Sequence, residues 1–233
     1  LNGLVVRHGA VLFRCAEGGL EAFKVFSSRC AQEFSDYRGG GLRFGPLDRE
    51  AIGGDRTVLT VTGAGQAFAI PLHGEMQYLP EPPELLWFYC DRPPVDGGQT
   101  TYASAAAVER TLGDETRAFF ASNRILYRRV LSAADWPKTF LTDDLEEARR
   151  FCARQRLALA VRESGAVEVS FVTDAIRTDA DGGRHFINNI LFVQRGEDAF
   201  LSGYARQALG VDVEEWPFVV RTEAGDPIPR AII

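Results

Sequence analysis

The sequence predicts a mainly β fold with helices (α+β), of the double-sheet jelly-roll type with helical insertions. Short apolar runs typical of strands outnumber segments with helical spacing, and strands and helices do not alternate regularly as in a parallel sheet. The chain has 233 residues, of which 45% are hydrophobic and 11% aromatic. This composition suffices for a sizeable core, so we expect residues 1–233 to form a single domain.

Strands are predicted where apolar runs lie between turn residues. The alternating run at 4–14 and the run TVLTVT at 57–62 are rich in Val, Leu and Thr. The run LLWFYC at 85–90 is apolar throughout, which indicates a strand buried on both faces. Further strands are predicted at 167–173 and 185–194.

Helices are predicted where apolar residues recur at spacings of three and four. This pattern covers 19–34 and ends before the glycine triplet that begins at Gly39. It recurs over 104–121 and 143–157, and the latter has acidic residues near its start and arginines near its end, which suit the helix dipole. A last helix is predicted over 197–208.

Charge and cysteine content exclude several classes of partner. The net charge is −6 and no basic run of five residues exists, so nucleic acid and anionic membranes are poor candidates, whereas a small-molecule substrate fits. The four cysteines form neither a CxxC pair nor a zinc-binding pattern, which indicates reduced thiols and a cytoplasmic location. No apolar stretch approaches the roughly 20 residues that span a bilayer.

The tripeptide His73-Gly74-Glu75 is the most informative motif of the chain. On an extended segment, side chains two residues apart point to the same face, so one nitrogen and one oxygen could share a cation. Two such ligands, with a third from elsewhere, form the facial triad of non-haem Fe(II) oxygenases. A lone His-x-Glu is usually incidental, so its surroundings decide the interpretation.

Residues 69–104 resemble the central segment of the TauD/TfdA-like Fe(II)/2-oxoglutarate-dependent dioxygenases, in which an HxE or HxD motif precedes a Pro-rich stretch, an aromatic strand and a GG-x-T element. The run at 5–14, the pair Asp135-Trp136 and the run at 185–190, with Asn188, are similar to further landmarks of that family. The resemblance implies a double-stranded β-helix (cupin-like) core, bound Fe(II), and 2-oxoglutarate and O2 as cosubstrates. The subgroup with HxE includes amino-acid hydroxylases of secondary metabolism.

The resemblance also implies roles for individual residues. His73 and Glu75 would bind the metal, and the Thr100 hydroxyl would bind the distal carboxylate of 2-oxoglutarate, although a threonine after a Gly-Gly turn can equally begin a strand. Arg43 resembles a family arginine near the substrate entrance, with an exposed loop arginine as the alternative. Tyr78 would contact the substrate because it follows the motif closely, with a core tyrosine as the alternative. Because Glu75 fills the position that related halogenases leave to chloride, hydroxylation, desaturation or ring closure is favoured over halogenation.

The third metal ligand is not evident. The chain has three histidines, and by counting His185 is the candidate, whereas His8 has no functional role. The resemblance instead makes His185 a strand histidine ahead of the family's distal histidine, and residues 224–228 look like the loop before that histidine. We therefore expect the C-terminal end of the domain, with the third ligand and the arginine that binds 2-oxoglutarate, to lie beyond Ile233.

Two functions follow as hypotheses. The first is an Fe(II)/2-oxoglutarate-dependent oxygenase that hydroxylates an unactivated C–H bond of a small, free or carrier-bound, amino-acid-like substrate in secondary metabolism. The second is a catalytically inactive binding or regulatory protein on the same scaffold. A histidine followed by an arginine downstream of Ile233 would favour the first. Neither the substrate nor the oligomeric state can be read from the sequence.

Overall fold

The computed structural model describes residues 1–14, 18–40, 49–61, 72–193 and 218–232. Within these ranges the chain contains both helices and strands. The helices are α1 (Asn2–His8), α2 (Gly19–Ser28), α3 (Ala105–Thr111), α4 (Asp114–Ser122), α5 (Trp136–Phe140), α6 (Leu145–Arg154) and α7 (Ile190–Val193). The strands are β1 (Ala51–Ile52), β2 (Asp55–Leu59), β3 (Ile125–Leu131), β4 (Ala158–Val161), β5 (Val167–Thr173), β6 (Ile176–Thr178), β7 (Arg184–Phe186) and β8 (Phe218–Thr222), followed by a 3-10 turn at Arg230–Ile232.

The largest sheet is antiparallel and has the strand order β4-β5-β3-β8. Residues of β3, the strand between β5 and β8, alternate between buried and half-buried along their whole length. The strand therefore presents one face to the core, as period-two alternation requires. The strands β1 and β2 form a separate two-stranded sheet, as do β6 and β7.

The core lies on the buried face of the main sheet. Helix α5 contributes Phe140, whose side chain is 1% exposed and lies against Phe151 of α6 with 5.8 Å between ring centroids. Tyr127 of β3 stacks on Phe171 of β5 and accepts a hydrogen bond from the backbone N–H of Asn189 at 3.0 Å. Burial raises the pKa of Tyr127, so its hydroxyl is neutral and the bond joins the sheet to the segment before α7.

Several elements agree with the sequence-based predictions. The strand predicted at 167–173 coincides with β5, and β2 overlaps the first half of the strand predicted at 57–62. The helix predicted at 143–157 contains α6, where Asp144 caps the first turn by accepting from the N–H of Glu146 at 2.8 Å. The helix predicted at 104–121 is interrupted because Leu112 and Gly113 are extended, and α3 and α4 result.

Other predictions are wrong. Residues 4–14 were expected to form a strand, but the chain forms α1, which ends at Gly9 with φ 76°, and no strand follows up to residue 14. The helix over 19–34 ends early, at Ser28. Of the strand predicted at 185–194, only β7 forms, and the helix α7 follows it. The Asn188 carboxamide oxygen accepts from the N–H of Ile190 at 3.1 Å, at the start of α7.

The segment 85–90 also differs from its prediction. It has no regular secondary structure and pairs with no strand in the described ranges, and its side chains alternate between half-buried and exposed instead of being buried on both faces. Leu86 and Phe88 are 49% and 60% exposed. The helix predicted over 197–208 lies outside the described residues.

The mixture of helices and strands is confirmed, whereas the jelly-roll core and the single-domain organisation stay predictions. The described strands form one four-stranded and two two-stranded sheets. Within the same residues, no helix has both the length and the apolar character that crossing a membrane demands.

The position of Phe140 leads to a stability prediction. Phe140→Ala should lower the free energy of unfolding by about 3–5 kcal/mol, because it removes a fully buried ring and leaves a cavity. Phe88→Ala, at an exposed position, should change it by less than about 0.5 kcal/mol. Urea unfolding of both variants measures the difference, and equal losses would contradict this description of the core.

Candidate active site

The segment that carries His73 and Glu75 is a pair of turns, not a strand. Residues 72–74 have no regular structure, and hydrogen bonds from the N–H of Gln77 to the Gly74 carbonyl (3.3 Å) and from the N–H of Leu79 to the Met76 carbonyl (2.8 Å) close two turns. The prediction of an extended segment here is therefore wrong. The physical reason is that residues 76–79 are all buried, which a strand with one exposed face cannot achieve.

Two backbone positions fix this turn. Met76 has φ 53°, a left-handed conformation that non-glycine residues rarely adopt, and its side chain is anchored in the core. At Gly74 any Cβ would collide with the Gln77 side chain and lie 3.0 Å from Ile187. The motif therefore needs glycine between its histidine and its glutamate. His73 itself is exposed, whereas the Glu75 side chain is 13% exposed.

Two residues that sequence reasoning missed hold the Glu75 carboxylate. The Tyr37 hydroxyl donates to Oε1 at 3.0 Å, and the Arg49 guanidinium donates from Nη1 to Oε1 at 3.2 Å and from Nη2 to Oε2 at 3.3 Å. Arg49 also lies over the Tyr37 ring, 5.2 Å from its centroid. Burial, with a contribution from the nearby Glu75 charge, raises the pKa of Tyr37, so its hydroxyl keeps the proton that it donates.

The loop that carries Tyr37 is attached to the core at three points. The N–H of Gly39 donates to the Thr139 carbonyl at 2.9 Å, and the Gly39 carbonyl accepts from Nη1 of the buried Arg129 at 3.3 Å. Arg38 pairs with Glu147 of α6 at 2.7 Å. Gly39 has φ 77°, and a Cβ there would lie 3.1 Å from the Phe151 ring. The position of the Tyr37 hydroxyl is thus set by β3, α5 and α6 together.

Tyr78 and Thr100 occupy contrasting environments. Tyr78 is 7% exposed, packs on Phe218 with 5.4 Å between ring centroids, and lines an internal cavity of about 20 Å³ beside Thr139 and Arg129. Tyr78 is therefore a core residue, as the alternative interpretation predicted, and its contact with a substrate stays a prediction. Thr100 is exposed.

The turn before Thr100 is described by the structure, whereas Arg43 is not. The glycines before Thr100 have positive φ, 66° at Gly97 and 74° at Gly98, in line with a turn that requires glycine. The role of Thr100 itself stays a prediction. Arg43, the second residue expected to contact substrate, lies outside the described residues.

His185 is in the β6–β7 hairpin. Its Nε2 lies 2.8 Å from Oδ2 of Asp179, and Oδ1 of Asp179 accepts from the N–H groups of Gly183 (2.6 Å) and Asp181 (3.1 Å). The hydrogen bond with His185 lowers the pKa of Asp179 most, so this carboxylate is charged and ties the two strands together. The interaction with Asp179 gives His185 a structural role in the hairpin that requires no metal.

Comparison with known proteins identifies the family. Residues 1–218 match the model of the taurine catabolism dioxygenase TauD, TfdA family, and the chain belongs to that family. The chain is also 30% identical over 204 residues to a clavaminate synthase-like protein of Arabidopsis thaliana. This alignment covers 79% of the chain and 58% of the relative, so the chain spans less than two thirds of that relative's length. Members of the family generally use Fe(II), 2-oxoglutarate and O2.

The described residues fit such a metal in part. An imidazole and a carboxylate are ligand types that Fe(II) accepts, His73 and Glu75 are separated by one residue, and the Glu75 carboxylate is held in a defined position. Among the residues that the structure covers, no group of three or more His, Cys, Asp and Glu side chains could hold a metal ion. The described chain therefore offers two donors, one of which already has Arg49 as its counter-ion.

The hairpin position of His185 leads to a test of the ligand assignment. His185→Gln should leave the affinity of the full-length protein for Mn(II) unchanged, because the His185 ring is engaged by Asp179 within the hairpin. Isothermal titration calorimetry measures the affinity, and Asp179→Asn serves as the matched control. A large loss of affinity in His185→Gln alone would make His185 a ligand.

Proposed function

We propose that this protein is an Fe(II)/2-oxoglutarate-dependent oxygenase that hydroxylates an unactivated C–H bond of a small, amino-acid-like substrate in secondary metabolism. Family membership supports the general activity. The observation that carries the proposal for this chain is the Glu75 carboxylate, largely shielded from solvent next to His73 and held by two donors from distant parts of the chain.

In this proposal His73 and Glu75 are two of the metal ligands. The third ligand and the arginine for 2-oxoglutarate are not assigned to described residues, and the proposed scaffold is a double-stranded β-helix core. When bound, the iron with 2-oxoglutarate and O2 supplies the oxidant for the C–H bond. The contribution of the chain is to hold Glu75 with Tyr37 and to place the substrate carbon while limiting access of water.

Hydroxylation is the proposed outcome because position 75 holds a carboxylate. A carboxylate ligand takes the coordination position that a halide would need. We propose that Thr100 binds the distal carboxylate of the cosubstrate and that Arg43 and Tyr78 contact the substrate. The proposed substrate is amino-acid-like, either free or attached to a carrier.

One observation favours a second candidate function. Arg49 already occupies both oxygens of Glu75, as in a structural ion pair. A protein whose Glu75 never exchanges this partner would bind no catalytic iron and would act as a binding or regulatory protein on the same scaffold. Absorption spectroscopy of the protein with iron and 2-oxoglutarate separates the two candidates.

The first test follows the metal and the cosubstrate together. Addition of Fe(II) and 2-oxoglutarate to the full-length protein without oxygen should give a weak visible charge-transfer band, because a 2-oxoacid chelates iron through two oxygens. His73→Ala and Glu75→Ala should each abolish the band, and His185→Gln should keep it. Absorption spectroscopy records the result.

An unchanged band in both His73→Ala and Glu75→Ala would remove these residues from the metal site. A protein that gives no band at all, yet retains its fold by circular dichroism, would support the binding or regulatory alternative. With oxygen, release of succinate across a panel of amino acids would identify the substrate class.

The second test concerns Thr100. Thr100→Val keeps the shape of the side chain and removes its hydrogen bond, so 2-oxoglutarate should bind about 10- to 150-fold more weakly, the equivalent of about 1.5–3 kcal/mol. The affinity for Fe(II) should not change, since Thr100 is not proposed as a ligand. Titration of the charge-transfer band with 2-oxoglutarate measures the effect, and an unchanged affinity would exclude this role.

A further inference from the structure

The ion pair between Arg49 and Glu75 has a consequence for metal binding. Both oxygens of the Glu75 carboxylate accept from the Arg49 guanidinium, and the two side chains are only 22% and 13% exposed. A guanidinium cannot lose its proton in a protein, so it is a permanent cation. Arg49 and Tyr37 together use about three of the roughly four lone-pair positions of the carboxylate, and a divalent metal at Glu75 would repel the guanidinium at short range.

We propose, on the basis of the proposed function, that Arg49 is a resident counter-cation that a metal must displace from at least one oxygen of Glu75. Tyr37 keeps the carboxylate in position while the two cations exchange. Arg49 therefore lowers the metal affinity of the site, and Tyr37 raises it. The two residues contact the same carboxylate but have opposite effects.

The chemistry of Tyr37 allows it to stay bound beside a metal. Its hydroxyl is a neutral donor and takes one of the roughly four lone-pair positions of the carboxylate, so it leaves oxygen positions for a cation. It cannot withdraw easily, because Gly39, two residues along, is bound to Thr139 and Arg129. Tyr37 is thus a positioning residue that acts on the metal through Glu75.

The Tyr37 ring offers the Arg49 guanidinium a favourable contact when its bonds to Glu75 break. Its guanidinium carbon lies 5.2 Å from the centroid of the Tyr37 ring, a distance at which a cation is attracted by the ring face. The guanidinium can therefore leave one oxygen and still have a favourable contact within the site. The same guanidinium neutralises a carboxylate that would otherwise be shielded from water without a counter-ion.

The experiment measures Mn(II) affinity of the full-length protein by isothermal titration calorimetry, with no cosubstrate present. Arg49→Gln should bind Mn(II) about tenfold or more tightly, because a charge-assisted bond no longer has to be broken. Tyr37→Phe should bind it about tenfold more weakly. Arg117→Gln is the matched control, since Arg117 of α4 is a partly buried arginine (29% exposed) that pairs with Glu109 instead, and its affinity should equal that of the unmodified protein.

The outcomes separate this inference from the proposed function. Weaker or unchanged Mn(II) binding in Arg49→Gln, with an unaltered circular dichroism spectrum, would overturn the role of Arg49. If that variant does not fold, Arg49→Met, which replaces the cation by an unbranched uncharged side chain, gives the same comparison. If His73→Ala abolishes Mn(II) binding while Arg49→Gln does not tighten it, only this inference fails. If His73→Ala leaves the affinity unchanged, the metal site itself is wrong.

Discussion

The buried arginine at the centre of the main sheet connects the core of this protein to its candidate active site. Arg129 projects from β3 into the apolar face of the sheet and is 4% exposed. Burial of a charge is costly unless polar or aromatic groups compensate it. The Gly39 carbonyl accepts from its Nη1, and its guanidinium carbon lies 4.8 Å from the centroid of the Phe218 ring. The loop around Gly39 is therefore a necessary partner of the core.

The consequence for the site is that its geometry depends on residues far from the His-x-Glu motif. The same loop carries Tyr37, whose hydroxyl contacts Glu75, so the sheet, the loop and the carboxylate form one connected series. The Glu75 carboxylate is only 13% exposed, so hydrogen bonds from protein groups must replace those from water. The neutral Tyr37 hydroxyl and the Arg49 guanidinium donate these bonds. The position of the Tyr37 hydroxyl beside Glu75 thus depends on the contacts of its loop with β3, α5 and α6.

The sequence predicted those parts that local pattern controls. The alternating side chains of β5 specify a strand, and the N-cap and apolar spacing of α6 specify a helix. The Gly97-Gly98 pair marks a turn, because both residues have positive φ. The sequence could not predict Tyr37 or Arg49, because they lie 38 and 26 residues from Glu75 and no short motif connects them to it. The extended conformation expected for the motif was wrong because burial of residues 76–79 outweighed the period-two pattern.

The segment 85–90 explains why the closed jelly-roll stays a prediction. One side of it is covered by α2, where Phe23 stacks on Tyr89 at 5.3 Å and Phe26 meets Trp87 edge-to-face at 6.0 Å. The other side carries Leu86 and Phe88, which are exposed in the described structure. A wholly apolar segment whose side chains alternate between covered and exposed has the pattern of a strand that packs between two layers. The sequence encodes burial on both faces, and the described residues supply only one of them.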